Sequence, residues 1–427
     1  MARIVHQAFG SLGDLHPHIA VGAALRARGH DVTIATHPPY RSRVETAGLR
    51  MHDMPPDFDA FTNLESTMRR AMDARDGSRY VLEKFVLPSL RETTAALLEA
   101  ARGADLVVGN TLGMSAVLVA EKLGIRHAHA VLQPVAMFSA YDPPHLGPQP
   151  GMDFLHRQGP AVWRGLFQVM RFVSRAWLKP VQDVRAELGL PPTQRHPMFD
   201  MWSSTLNLAL FSRELMQPQP DFAAHTVITG FPFHDRDETG KGAPEALVRF
   251  LDAGPAPVVF TLGSSAVYDA GEFYEIALAA SRAVGRRAVL LCGPEGRNRP
   301  KPFAHSDVLD DAIAVDYAPH SEVFPRAAVT VHQGGVGTTG QALRAGRPMI
   351  VMPYSHDQPD NALRCRRLGV ARIVPRHRWN VATATAALRE LLADGGSAAA
   401  AARVGERVRA ERGAEVAADA IEEALAR

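Results

Sequence analysis

Cysteine is scarce: Cys292 and Cys365 are the only two in 427 residues. They stand far apart in no CxxC or Cys/His ligand spacing, which argues against a disulfide framework or a zinc site and fits a reducing cytoplasm. No window approaches the ~18 consecutive apolar residues that a membrane-spanning helix needs. Nor does a basic segment with an apolar stretch of signal-peptide length precede the strand-like run Ile4-Val5-His6-Gln7-Ala8-Phe9. The expected location is therefore cytoplasmic, and a lipid substrate would be met from the water side, with peripheral membrane contact at most. Charge of one sign is lacking too, with 47 Lys+Arg against 45 Asp+Glu and a net charge of +2. A dedicated nucleic-acid binder concentrates its basic residues on one face, and no such run occurs. His6, His127, His129 and His145 show no metal-ligand spacing, so no metal is expected.

What is present is an ordinary globular composition, 46% hydrophobic and 22% charged. The length exceeds that at which a single hydrophobic core usually stops growing, so two domains are expected. Short apolar runs alternate with amphipathic stretches in both halves, the pattern of βαβ units and a parallel sheet. In the first unit Ile4 to Phe9 reads as a strand, Gly10-Ser11-Leu12-Gly13-Asp14 as a turn, and Pro17 to Arg28 as a helix; Asp31 to Thr36 supplies the next strand. Asp105 to Gly109 and Arg126 to Leu132 continue the plan. The Phe/Trp-rich stretch from Trp163 to Trp177 reads as packing helices, and a pocket lined by such residues suits an aromatic or lipidic acceptor. These patterns divide the chain into an N-terminal α/β domain over 1–228, a linker over 229–242, a C-terminal α/β domain over 243–405, and a helical tail over 406–427, open to packing back on the first domain.

The densest constellation lies between Tyr317 and Gly369. The buried-strand pattern Val329-Thr330-Val331-His332 runs through Gln333-Gly334-Gly335-Val336-Gly337-Thr338-Thr339 into a helix. Glycines there let the backbone approach an anion closely, while the unpaired N–H groups and the dipole at the helix N-terminus favour a diphosphate. Gly335-Val336-Gly337-Thr338-Thr339-Gly340 also satisfies GxGxxG, which raises an NAD-dependent oxidoreductase as a rival. A dehydrogenase wants an acidic residue closing the next strand to hold the ribose, whereas Pro348 to Met352 ends in Pro353-Tyr354. Asp357 and Gln358 follow: a carboxylate that only accepts, beside an amide that donates and accepts, can read two neighbouring hydroxyls.

Ala318-Pro319-His320, His332-Gln333-Gly334-Gly335-Val336-Gly337-Thr338-Thr339, Gly346-Arg347-Pro348 and His356-Asp357-Gln358-Pro359-Asp360-Asn361-Ala362 together resemble the donor signature of one large glycosyltransferase family. It includes sterol glucosyltransferases, antibiotic and flavonoid glycosyltransferases and the rhamnolipid rhamnosyltransferase. Gly10 to Asp14 and Phe260-Thr261-Leu262-Gly263-Ser264 extend the likeness, and 140–225 is the least covered stretch. The resemblance implies a GT-B fold, two Rossmann-like domains facing across a cleft, with acceptor bound by the first and donor by the second. It implies no metal and no cofactor beyond a UDP- or dTDP-linked sugar as co-substrate. Carried over by residue, it has Ser264, Gly335, Gly337 and Thr338 hold the diphosphate, Ala318 and His320 contact the base, and Asp357 and Gln358 hold sugar hydroxyls.

Two departures stand out. Most relatives carry a phosphate-binding histidine directly before the glycine pair, where this chain has Gln333, with His332 one place earlier; either residue could be the ligand. A glutamate that binds the ribose in plant relatives is replaced by Gln341, so the nucleotide is not fixed. Where many relatives place a catalytic histidine this chain has Asp14, a carboxylate that can take the proton from an acceptor hydroxyl. The alternative is that Asp14 merely caps the helix that follows. His16 and His18 are rival bases, and Asn110, near where relatives keep a second catalytic aspartate, does not support a His-Asp relay. The expected activity is inverting, metal-independent transfer of a hexose or deoxyhexose, of UDP-glucose type, to a hydroxyl of a small hydrophobic acceptor. The alternatives are a dTDP-rhamnose-dependent rhamnosyltransferase and a non-catalytic sugar-nucleotide binder.

Overall fold

The computed structural model describes residues 1–57, 64–145, 147, 151–235, 242–296 and 298–427. It separates into two compact units: Met1–Leu64 with Arg75–His234 and Glu411–Arg427, and Glu65–Ala74 with Asp235–Ala410. Residues 236–241 of the expected linker lie outside the described residues.

The first unit is built on a seven-stranded parallel sheet. Its strands are β1 (Arg3–Gln7), β2 (Asp31–Thr36), β3 (Arg50–Asp53), β4 (Leu106–Asn110), β5 (Arg126–Val131), β6 (Leu206–Ala209) and β7 (Thr226–Ile228), in the order β3-β2-β1-β4-β5-β6-β7. Alternation along the strands sends Ile4, Val108 and Leu208 to one face and Val5, Val107 and Ala35 to the other, and helices cover both. The helix Leu12–Ala27 packs on the first face with the C-terminal helix Gly413–Ala426, whose Ala417, Ala420, Ile421 and Ala424 join the same core. At Gly413 any side chain would strike the Phe231 backbone, so this helix seats closely.

The second unit carries a six-stranded sheet of β8 (Val258–Thr261), β9 (Ala288–Leu291), β10 (Ala312–Val315), β11 (Val329–His332), β12 (Met349–Val351) and β13 (Ala371–Ile373), in the order β10-β9-β8-β11-β12-β13. In both sheets the order reverses beside the first strand, at β1/β4 and at β8/β11. Connections leave in opposite directions there and open a crevice at the strands' C-terminal ends, where ligands of such sheets bind.

Three features depart from the sequence reading. The first helix begins at Leu12, and Pro17 lies inside it. Proline marks a helix start when it occupies the first turn, but here Ser11 caps six residues earlier. Of the aromatic stretch, Trp163 and Phe167 are core, while Phe172 is 65% exposed. Third, residues 65–74, taken from within 1–228 and comprising the helix Leu64–Ala71 after its first residue and the turn that follows, belong to the second unit, with Met72 buried in that unit's core. Among the described residues no helix is long and apolar enough to cross a membrane.

Candidate functional site

In the first unit, the β1/β4 crevice is shaped by three side chains. Asn110, the last residue of β4, donates from Nδ2 to Phe9 O at 2.8 Å and accepts from Phe9 N–H at 3.3 Å, fixing the chain just after β1. Gly10 then turns with φ +130, and a side chain there would run into the Asp14 carboxylate. Ser11 caps the helix: its Oγ accepts from Gly13 N–H at 3.3 Å, while Asp14 Oδ2 accepts from Ser11 N–H at 2.8 Å and from Ser11 Oγ–H at 3.1 Å. Asp14 is thus half of a capping box.

Capping does not make the carboxylate inert. Burial pushes the Asp14 pKa up to about 6, against the opposing hydrogen bonds from Ser11 and Asn110. A carboxylate with such a value is ionised at neutral pH yet more basic than a solvated one, which is what a general base requires. The rival His18 is buried, with its Nδ1 3.1 Å from Nδ1 of His6, and burial lowers its pKa to about 4. Its ring is closed to an acceptor. His16 is half-buried beside the His234 ring at 5.6 Å. Ser11 and Asn110 are the residues that sequence reasoning undervalued; the Ser-x-x-Asp spacing was the available signal for the first.

In the second unit, β11 delivers His332 and Gln333 to opposite sides. His332 is fully buried; its Nδ1 accepts from Gly334 N–H at 3.1 Å, and burial, with His320 nearby, holds its pKa at about 3. The ring is neutral and braces the glycine turn. The Gln333 amide points instead at Gly263 and Gly335, into space that a side chain at Gly263 would fill, and its Oε1 is buried without a partner among the described residues. The short helix Gly263–Ala266 carries exposed Ser264 at the end of β8, the neighbour of β11.

Gly335 is the N-cap of the helix Val336–Ala345. Helix geometry leaves its first N–H groups without intrahelical partners. Asp357 Oδ2 takes that of Val336 at 2.9 Å and also accepts from Asn361 Nδ2 at 2.7 Å, while Asn361 Nδ2 reaches Gly334 O at 2.9 Å. Gly337 is open on its Cα side and Thr338 is buried, both in the first turn, where helix geometry leaves the N–H groups without intrahelical partners and suited to an anion. Asn361, fully buried, ties the glycine turn to Asp357. It was legible only as part of a longer motif.

Gln358 differs from expectation in one respect. Its Oε1 accepts from Tyr354 N–H at 2.8 Å and from Ser355 N–H at 3.3 Å, so the acceptor half of the amide serves the protein. Towards a sugar it can only donate. After β10, Ala318 is fully buried and His320 stacks on Phe324 with centroids 4.4 Å apart and planes 12° apart, its pKa lowered by burial to about 4. Gln341 donates to Asp235 Oδ1 at 2.9 Å, and Arg344 pairs with the same carboxylate at 2.8 Å. Among the described residues no group of three or more His, Cys, Asp and Glu could hold a metal ion.

With this geometry in hand, comparison with known proteins finds two family descriptions on the chain. The Glycosyltransferase family 28 N-terminal domain matches residues 4–140 and the Erythromycin biosynthesis protein CIII-like, C-terminal domain matches residues 301–423. O-mycaminosyltylonolide 6-deoxyallosyltransferase of Streptomyces fradiae is 33% identical over 441 residues, covering 99% of this chain and 97% of its own. The sterol 3-beta-glucosyltransferase of Candida albicans is 28% identical over 84% of this chain, which spans only 24% of that longer protein. The solved structure of glycosyltransferase VinC in complex with DTDP is similar at a TM-score of 0.69 and 19% identity, over 99% of this chain and 98% of the other.

Proposed function

Because the chain belongs to the GT-B glycosyltransferases that include antibiotic and sterol glycosyltransferases, we propose that it transfers a hexose or deoxyhexose from a nucleoside diphosphate to a hydroxyl of a small hydrophobic acceptor, with inversion. The observation that carries this reading is the Asp14 turn: a carboxylate of raised pKa held by Ser11 at the β1/β4 crevice. A non-catalytic sugar-nucleotide binder would use this carboxylate as a helix cap but has no use for its raised basicity.

In the proposed reaction the acceptor oxygen attacks the anomeric carbon as its proton passes to Asp14. The new C–O bond forms while the bond from the anomeric carbon to the diphosphate oxygen breaks, and the nucleoside diphosphate leaves with the bonding pair. The amides of Gly337 and Thr338, the Gln333 side chain and Ser264 stabilise the charge that develops on that oxygen, so no metal is required. Ala318 and His320 bind the base, and Asp357 and Gln358 hold the sugar.

The S. fradiae relative, named for 6-deoxyallosyl transfer, favours a deoxyhexose donor. VinC was solved with DTDP, which favours the deoxythymidine nucleotide as a second reading beside a UDP-hexose. Incubation with UDP- and dTDP-sugars and a panel of macrolide, sterol and aromatic alcohols, with mass detection of the glycoside, tests the assignment. A glycoside with inverted anomeric configuration is expected. Donor binding with no product from any acceptor in the panel would favour the binder.

A further inference from the structure

The turn that carries Asp357 and Gln358 is held by a segment remote in sequence. Residues 65–74 belong to the same unit as that turn. A helix leaves its last carbonyls without partners of its own. At the end of the helix Leu64–Ala71 two of the carbonyls on offer are taken by the residues just before Asp357. Ser355 Oγ–H donates to Asp73 O at 2.8 Å, and the His356 ring donates to the Ala71 carbonyl. Between these two contacts Met72 is buried in the core with Tyr354, at 2% exposure each. Arg69 reaches Asp269 at 3.4 Å, and Asp269 in turn holds Arg376, whose guanidinium lies 4.2 Å over the Tyr354 ring.

The turn needs this support. His356 has φ 59, in the left-handed region, where a residue with a Cβ persists only if its surroundings hold it. Gln358 depends on the same backbone, because its Oε1 is anchored by the N–H groups of Tyr354 and Ser355. If Ser355 and His356 let go, the peptide that orients the Gln358 amide is free to turn.

We infer that Ser355 and His356 are positioning residues for donor-sugar recognition, and that the segment 65–74 is a built-in strap that holds the sugar-reading turn in shape. This rests on the reading that Asp357 and Gln358 hold the sugar. The strap acts on sugar discrimination rather than on diphosphate binding, because it works through the Gln358 amide, anchored on Tyr354 and Ser355, whereas Asp357, which caps the diphosphate helix, is held separately by Val336 N–H and Asn361.

The test is calorimetry with UDP, UDP-glucose, dTDP and dTDP-glucose on the full chain, comparing each sugar nucleotide with its bare diphosphate. Ser355→Ala should lose roughly 3- to 10-fold in affinity for the sugar nucleotide, the effect of one hydrogen bond, with the bare diphosphate within about 2-fold. Ser355→Thr, which keeps the hydroxyl, should recover most of the loss. His356→Gly accepts the left-handed backbone without strain while removing the ring, so it isolates the contact to Ala71 from misfolding; it should show the same selective loss. Equal loss for both ligands, or none, in Ser355→Ala and His356→Gly would overturn the inference. Gln358→Ala, measured alongside, separates the two levels. If it too weakens both ligands equally, the sugar assignment itself fails. If it is selective and the other two are not, only the strap fails.

Discussion

His332 and Gln333, consecutive at the end of β11, face opposite ways: the imidazole turns inward to accept from Gly334 N–H, and the amide turns toward Gly263 and Gly335. Neighbouring residues of a strand alternate sides. A shift of one place relative to the histidine of most relatives therefore moves the ring into the core and leaves the amide at the crevice.

The first expectation concerns that pair. Gln333→Ala should weaken UDP or dTDP binding by roughly 10- to 100-fold, as for a hydrogen bond to a charged group, with little change in melting temperature. His332→Ala should do the reverse, costing about 1–3 kcal/mol of stability by stranding the turn and opening a cavity. Calorimetry and thermal melts decide it; a diphosphate loss confined to His332→Ala would return the phosphate role to the histidine.

Asp14 should impose a pH dependence of two opposite senses. Its pKa rises from 3.8 to about 6 on folding, so the folded chain binds the proton more tightly than the unfolded one. The stability contribution of this group is therefore full below pH ~4 and declines as pH rises to about 6. Turnover, which needs the carboxylate, climbs through the same value. Asp14→Asn should flatten the stability profile across that window and lower turnover by roughly 10²–10⁴-fold. It should leave donor binding nearly unchanged and keep the helix cap. Near-normal turnover in a folded mutant would move the base to His16, since His18 is sealed against His6.

Gln358→Ala should weaken a sugar nucleotide by about 0.5–1.5 kcal/mol while sparing the bare diphosphate. Asp357→Ala is the less clean probe, because its Oδ2 also caps the Val336–Ala345 helix and binds Asn361. It should weaken both ligands and lower the melting temperature. Calorimetry on the two variants checks the contrast.

Activity should survive chelation. Helix-terminus amides and uncharged side chains can stabilise the leaving diphosphate without a cation. An assay in excess EDTA measures this, and activity lost there and restored by magnesium or manganese would contradict it.

The strand framework was open to sequence reading because buried parallel strands are short apolar runs between turn residues. β2 and β11 coincide with the expected Asp31 to Thr36 and Val329 to His332, and β4 and β5 differ by one residue at their ends. The helix start was misplaced because proline was weighed as a start signal, although Ser11 and Asp14 already form the reciprocal cap. The donor motifs were legible because glycine spacing at a strand-to-helix turn is a local backbone requirement.

By itself the sequence determined the alternation of strands and helices, the glycine turns after β8 and β11, and the presence of Asp14 in the first turn. These are local properties, set by side-chain periodicity and by conformations that particular residues allow. Only the tertiary structure decided which atoms those residues spend on the protein itself. It gave Gln358 Oε1 to the backbone of Tyr354 and Ser355, Asp357 Oδ2 to a helix N-terminus, and the His332 ring to Gly334. It also assigned residues 65–74 to the second unit, where Ala71 and Asp73 meet His356 and Ser355 across more than 280 positions of sequence. Hydrogen bonds and burial between such distant segments depend on how whole elements pack, and no window of residues encodes them.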